Sequence, residues 1–123
     1  MLSLQQLPHY MTGEMMIITI NIRYTGKDSS VNYFLQEMKE TGTVDRIKAE
    51  PGNLRYEYYW SLDDPETVLL IDSWESQAAL DAHHASPMME TIAELREKYD
   101  IHMQVERYVR LEDTPSDRVF IRE

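Results

Sequence analysis

Cysteine is absent from the 123-residue chain, which removes disulfides, thiolate metal centres and cysteine nucleophiles together. Glycine is scarce, and Gly13, Gly26, Gly42 and Gly52 stand far apart. Phosphate-cradling loops of the P-loop and GxGxxG kinds need glycines within a few residues of one another, so both are excluded. Positive charge is also short: 12 Lys and Arg against 22 Asp and Glu leave a formal charge of −10. Nucleic acids and anionic membranes draw basic clusters, and none is here. No apolar run approaches the roughly 18 residues that span a bilayer. Met1 to Glu14 has neither a basic start nor a continuous apolar stretch, so it does not read as a signal peptide. These absences read as a cytoplasmic protein.

What remains is a chain that is 42% hydrophobic and 10% aromatic, too apolar to stay disordered in water. Its length fits one domain, which we expect over residues 15–111, between an N-terminal extension (1–14) and a C-terminal tail (112–123). Met15–Tyr24 reads as a strand, with Met16, Ile18, Ile20, Ile22 and Tyr24 on one face and Ile17, Thr19, Asn21 and Arg23 on the other. After a turn at Gly26–Ser30, Val31, Phe34, Leu35 and Met38 recur at helical spacing. The helix should reach Thr41, break at Gly42, resume over Val44–Ala49 and close at Pro51-Gly52. Asn53–Leu62 and Thr67–Trp74 read as a strand pair joined by the acidic turn Asp63-Asp64-Pro65-Glu66. Ser76 should cap a short helix, Gln77–His84. Ser86-Pro87 should open another, with Met88, Ile92, Leu95 and Tyr99 as its buried stripe. Asp100–Leu111 alternates as a last strand.

Strand, helix, two strands, helix, strand is the ferredoxin-like βαββαβ order, an α+β fold with a four-stranded antiparallel sheet. Ile17 beside Ile18, and Leu69 beside Leu70, put apolar groups on both sides of two strands. A sheet face left bare by the helices yet partly apolar marks an interface, so we expect a homodimer with the two sheets face to face. Which parity meets the helices is open at this stage. Topology decides no function. An RNA-recognition reading fails on Glu57 in the tyrosine-rich strand and on the acidic charge. A small phosphatase would need a glycine-rich anion loop after Arg23, and Gly26 stands alone.

From Glu50 the chain runs Glu-Pro-Gly-Asn-Leu-Arg-Tyr, then Asp63-Asp64-Pro65-Glu66, then Asp72-Ser73-Trp74-Glu75-Ser76. It continues through Ala78-Ala79-Leu80-Asp81-Ala82-His83-His84-Ala85-Ser86-Pro87. This combination resembles the antibiotic biosynthesis monooxygenase family, whose small members are often called quinol monooxygenases. The resemblance covers about residues 15–110 and implies a dimeric α/β barrel. It also implies oxidation of a small aromatic quinol or phenol by O2 with no cofactor and no metal. Such a reaction needs an enclosed apolar pocket, a proton acceptor and donors for a developing oxyanion. On the family pattern Asn21, Trp74 and His83 would be catalytic. Tyr56, Tyr58, Asp72, Arg23 and Met88 complete the set as substrate contacts.

Each residue also has a plain structural reading. Asn21 is a poor strand former whose amide could serve a neighbouring loop. Trp74, the tyrosines and Met88 could be core. Asp72, inside an apolar strand, could be a carboxyl of raised pKa or could reach solvent at an edge. His83 and His84 point about 100° apart on a helix, so one should face in and one out. His9, His83, His84 and His102 have no metal-ligand spacing. Competing functions on the same fold are haem degradation and a non-catalytic ligand-binding or stress-related dimer.

Overall fold

The computed structural model describes residues 16–123, so the expected N-terminal extension lies outside the described residues. Nine elements follow in order: β1 (Ile18–Thr25), α1 (Ser30–Glu40), α2 (Thr43–Lys48), β2 (Asn53–Trp60), β3 (Thr67–Trp74), α3 (Gln77–His84), α4 (Met88–Lys98), β4 (His102–Val109) and α5 (Pro115–Arg118). The strands form one antiparallel sheet in the order β2-β3-β1-β4. This is the ferredoxin-like α+β arrangement expected from the element order. Among the described residues no helix is long and apolar enough to cross a membrane.

The parity left open by the sequence is settled by which residues sink beneath the helices. Ile18, Ile20 and Tyr24 of β1 are buried, as are Val68, Leu70, Asp72 and Trp74 of β3. Cross-strand partners share a face, and Ile18 pairs with Trp74, Ile20 with Asp72, Ile22 with Leu70 and Tyr24 with Val68. Thr19, Asn21, Arg23 and Thr25 therefore occupy the opposite, open face, together with Leu69, Ile71 and Ser73. That face is less apolar than expected. Ile71 and Leu69 form its greasy strip, while Arg55, Glu57, Gln104 and Glu106 stand on the flanking strands.

Helix α1 buries Val31, Phe34, Leu35 and Met38 on one stripe, and the Phe34 ring packs 5.3 Å from the Tyr24 ring. Each fully buried side chain of that size contributes about 2 kcal/mol. No serine hydroxyl caps the start of α1. The Ser29 backbone N–H instead donates to both carboxylate oxygens of Glu66 from the β2–β3 turn, at 3.1 and 3.2 Å. At Gly42 a φ of +76° lets the chain break after Thr41 and restart as α2. Ser76 caps α3 by accepting from the Ala79 N–H at 3.1 Å, as expected. Ser86 does not cap α4, since its buried hydroxyl has no partner among the described residues. A bulge between Asn53 and Arg55 turns Leu54 outward, away from the face it shares with Tyr56 by simple alternation. The tail carries the short α5 and is exposed throughout.

Gly52 joins α2 to the sheet. Its φ is +85°, and its carbonyl accepts from the Glu75 N–H at 2.8 Å. A Cβ there would lie 2.6 Å from the Ala79 Cβ and 3.0 Å from the Glu75 Cγ. Gly52→Ala therefore combines a left-handed backbone with a steric clash. It should cost about 3 kcal/mol, read as a drop of roughly 10 °C in Tm. Urea unfolding of the two proteins checks this; equal midpoints would show that the turn relaxes freely.

Candidate active site

The even-numbered residues of β3 carry the site, because that parity faces the helices. Trp74 ends the strand fully buried. Two residues earlier Asp72 Oδ1 accepts from the Trp74 Nε1–H at 2.7 Å, which fixes the indole plane. The Ser76 cap then starts α3 at once and brings His83 back over the indole. The two rings stack with centroids 4.8 Å apart and planes 26° from parallel. His83 is 3% exposed, while its neighbour His84 is exposed on the outer side of the same helix. Of the two histidines, His83 is the one that faces inward.

A carboxylate absent from the expected set completes the arrangement. Glu50 sits in the turn after α2, held by its N–H to the Ile47 carbonyl at 3.0 Å. Its Oε1 lies 3.0 Å from His83 Nδ1. In the neutral tautomer that donates Nδ1–H to Glu50, the lone pair of the ring sits on Nε2. The Glu50 contact thus fixes both ring orientation and the identity of the basic nitrogen. The sequence signal for Glu50 was its place directly before Pro51-Gly52. A turn has no periodicity that would have revealed its reach across 33 residues to His83.

Asp72 is 5% exposed. Burial pushes its carboxyl up to about 6; the facing His83 and the indole hydrogen bond pull it down, and Glu50 pushes it further up. The structural alternative, that Asp72 escapes to solvent, is ruled out by this burial. Tyr56 lies opposite Asp72 across the β2–β3 ladder. Its ring meets that of Tyr58 edge-on at 5.6 Å, and the two hydroxyls are 3.5 Å apart. Burial holds both phenols well above the ordinary tyrosine range, and raises Tyr24 to about 12. All three therefore remain neutral hydroxyls at physiological pH. Met88, at the start of α4, is half-buried against the core.

Of the residues expected to act together, His83, Trp74, Asp72, Tyr56 and Tyr58 share the helix-facing side of the sheet. Asn21 and Arg23 do not. Their odd parity places them on the open face, Asn21 between Ile71 and Glu106 and Arg23 between Leu69 and Gln104. The cause is the two-residue period of β1: once Ile18, Ile20 and Tyr24 are buried, Asn21 cannot turn toward His83. Arg23 instead lines an open-face hollow of about 570 Å³ with Tyr59, Trp60, Asp63, Asp64 and Leu69. Among the described residues no three His, Asp or Glu side chains converge as metal ligands.

The family model for antibiotic biosynthesis monooxygenases matches residues 17–95, from the start of β1 into α4. The chain belongs to that family. Members of the fold align over nearly their whole length. A conserved protein from Methanosarcina mazei shares 23% identity with a TM-score of 0.67, covering 76% of this chain and 92% of its own. A Pseudomonas aeruginosa protein shares 20% identity, with a TM-score of 0.68 and coverage of 81% and 100%. One from Deinococcus radiodurans shares 15%, with a TM-score of 0.69 and coverage of 79% and 95%. At such identities these structures establish the fold alone. No curated protein matches the chain.

The raised Asp72 carboxyl gives a pH signature with a definite sign. The folded state keeps its proton up to about 6, whereas the unfolded chain loses it near 3.8. Between those values the folded state binds more protons, so this group's contribution to stability falls as pH rises and levels off above about 6. Asp72→Asn keeps an acceptor for the Trp74 indole and removes that loss. The variant should match wild type at pH 4 and exceed it at pH 7 by an amount on the order of 2–3 kcal/mol. Denaturant unfolding across pH measures the difference; a constant offset would show that Asp72 titrates normally.

Proposed function

We propose that this protein is a cofactor-independent monooxygenase that oxidises a small aromatic quinol or phenol with O2. One observation carries the reading beyond family membership: the buried His83 imidazole, stacked on Trp74 and paired with the partly exposed Glu50 carboxylate. A carboxylate-oriented imidazole packed away from water is an apparatus for removing a proton from a weakly acidic hydroxyl. His83 Nε2 is the general base and Glu50 its positioning residue. Trp74 backs the imidazole on one face, and Tyr56 and Tyr58 keep neutral hydroxyls on the same side of the sheet.

The chemistry follows from the substrate. Loss of the hydroxyl proton to His83 makes the ring electron-rich enough to reduce O2. A bond forms between O2 and the ring carbon ortho or para to the oxyanion, and the proton returns to give a hydroperoxide. Loss of the C–H proton with O–O cleavage then expels water and leaves a quinone. One phenol and one O2 become one quinone and one water, and the ring supplies all the electrons. Haem degradation is less well supported, because it requires an accessible axial histidine and His83 is 3% exposed.

The homodimer belongs to the same proposal. Asn21 Oδ1 is buried on the open face with no partner among the described residues, and such an orphan costs about 1–3 kcal/mol. A second copy laid on Ile71, Leu69 and Asn21 would cover the strip and could offer that oxygen a donor. Ile71→Arg should convert the dimer to a monomer in size-exclusion chromatography with light scattering. An unchanged mass would place any dimer contact elsewhere.

Oxygen uptake tests the reaction itself. With a panel of hydroquinones and naphthols, wild type should consume O2 well above substrate autoxidation. His83→Ala should lower kcat by roughly 100-fold or more. Glu50→Gln should lower it by about 10-fold and shift the pH profile, as a positioning residue does. No uptake above autoxidation for any substrate sinks the oxygenase reading. Uptake that His83→Ala leaves intact rejects the assigned base.

A further inference from the structure

The helix-facing side of the sheet is not covered evenly. Met103, Val105, Arg107 and Val109 of β4 face the same way as Tyr24, Ile22, Ile20 and Ile18, their partners on β1. Yet Met103 is 41% exposed, Val105 52% and Val109 45%. The helices thus leave an apolar shelf along β4, with half-buried Ile22 at its inner edge. Arginines reaching in from different directions bracket its Met103–Val105 stretch. Arg96 of α4 contacts the Met103 sulfur with Nη1. Arg107 rises from β4 itself and bonds the Gln77 side-chain oxygen at the start of α3, and Gln77 is held in turn by donating to Asp81 at 2.7 Å.

Neutral partners hold both guanidiniums. Among the described residues neither lies in an ion pair with a carboxylate. In a chain of net charge −10, two cations left unpaired along one apolar strip form a local exception in sign. Met103 and Arg107 are four strand residues apart, roughly 13 Å, with Val105 and Ile22 between them. That spacing suits one or two fused aromatic rings and an attached anion. The shelf also adjoins the site described above. Val109 pairs with Ile18, which pairs with Trp74, and the His84 ring centroid is 5.7 Å from that of His83. Partial desolvation and then the charge of His83 hold His84 below its ordinary value; Asp81 opposes this, and Arg107 adds to it, so Arg107 stands close to this end of α3.

We propose that the β4 shelf binds the substrate as an anion: a one- or two-ring aromatic acid whose ring lies on Val105 and Ile22 and whose carboxylate is held by Arg107, with Arg96 closing the far end. A planar carboxylate matches the guanidinium fork in a way that a neutral amide does not. This inference rests on the aromatic oxygenase reading for its location but makes a separate claim about substrate charge. Polyanions remain disfavoured by the acidic surface, which limits the ligand to a small molecule.

Calorimetric titration with 2-naphthoate against its neutral isostere 2-naphthamide tests the claim without any turnover, since neither probe carries a hydroxyl to oxidise. Wild type should bind naphthoate at least 10-fold more tightly than naphthamide. Arg107→Gln should erase that preference, Arg107→Lys should keep part of it, and Arg96→Gln should reduce it about threefold. Arg46→Gln, on α2, should change nothing. Equal affinity for the two probes overturns the proposal, as does a loss in Arg46→Gln as large as in Arg107→Gln. Naphthoate preference in a protein that consumes no O2 would leave the shelf standing and remove the oxygenase reading; O2 uptake without the preference would do the reverse.

Discussion

The pairing of β1 with β3 is the constraint from which the rest of this molecule follows. Once Ile18 faces Trp74 and Ile20 faces Asp72, every side chain on the two central strands is assigned to the helix side or the open side. A slip of one residue would exchange the two sets completely. The assignment puts an acid and an indole in the dry layer, where Asp72 and Trp74 satisfy each other at 2.7 Å. It puts an amide and a guanidinium, Asn21 and Arg23, outside. The chemical character of each face is a consequence of register.

The dry layer explains why the site is polar and still stable. Buried polar groups are tolerated when each has a partner, and here the partners form a chain. Glu50 holds His83, His83 stacks on Trp74, and Trp74 donates to Asp72. Burial is what chiefly raises the Asp72 pKa, with the nearby Glu50 carboxylate adding a smaller push in the same direction. The same low-dielectric surroundings keep the tyrosines neutral.

Family membership and fold fit this picture without depending on it. The match over residues 17–95 stops within α4, short of β4, where the apolar shelf and Arg107 lie. Charge is uneven in the same region: Arg96 and Arg107 stand along one apolar strip of a chain of net charge −10.

Much of this was legible in the amino-acid order. The element sequence, the capping serine at position 76, the buried stripe of α1 and the split of the adjacent histidines into one inward and one outward all follow from local periodicity and local hydrogen bonding. Those depend on neighbours within a few positions, so a linear string carries them. The string also showed that both faces of two strands held apolar groups, though it could not say which face the helices would take. Nothing in the string fixes which side of β1 Asn21 takes, and Glu50 gives no signal because a turn has no period. What decided these two cases was contact across long separations: a β-ladder that fixes sides, and a turn that lands 33 residues away against an imidazole. Such contacts depend on packing the elements into one core, and only the folded chain contains them.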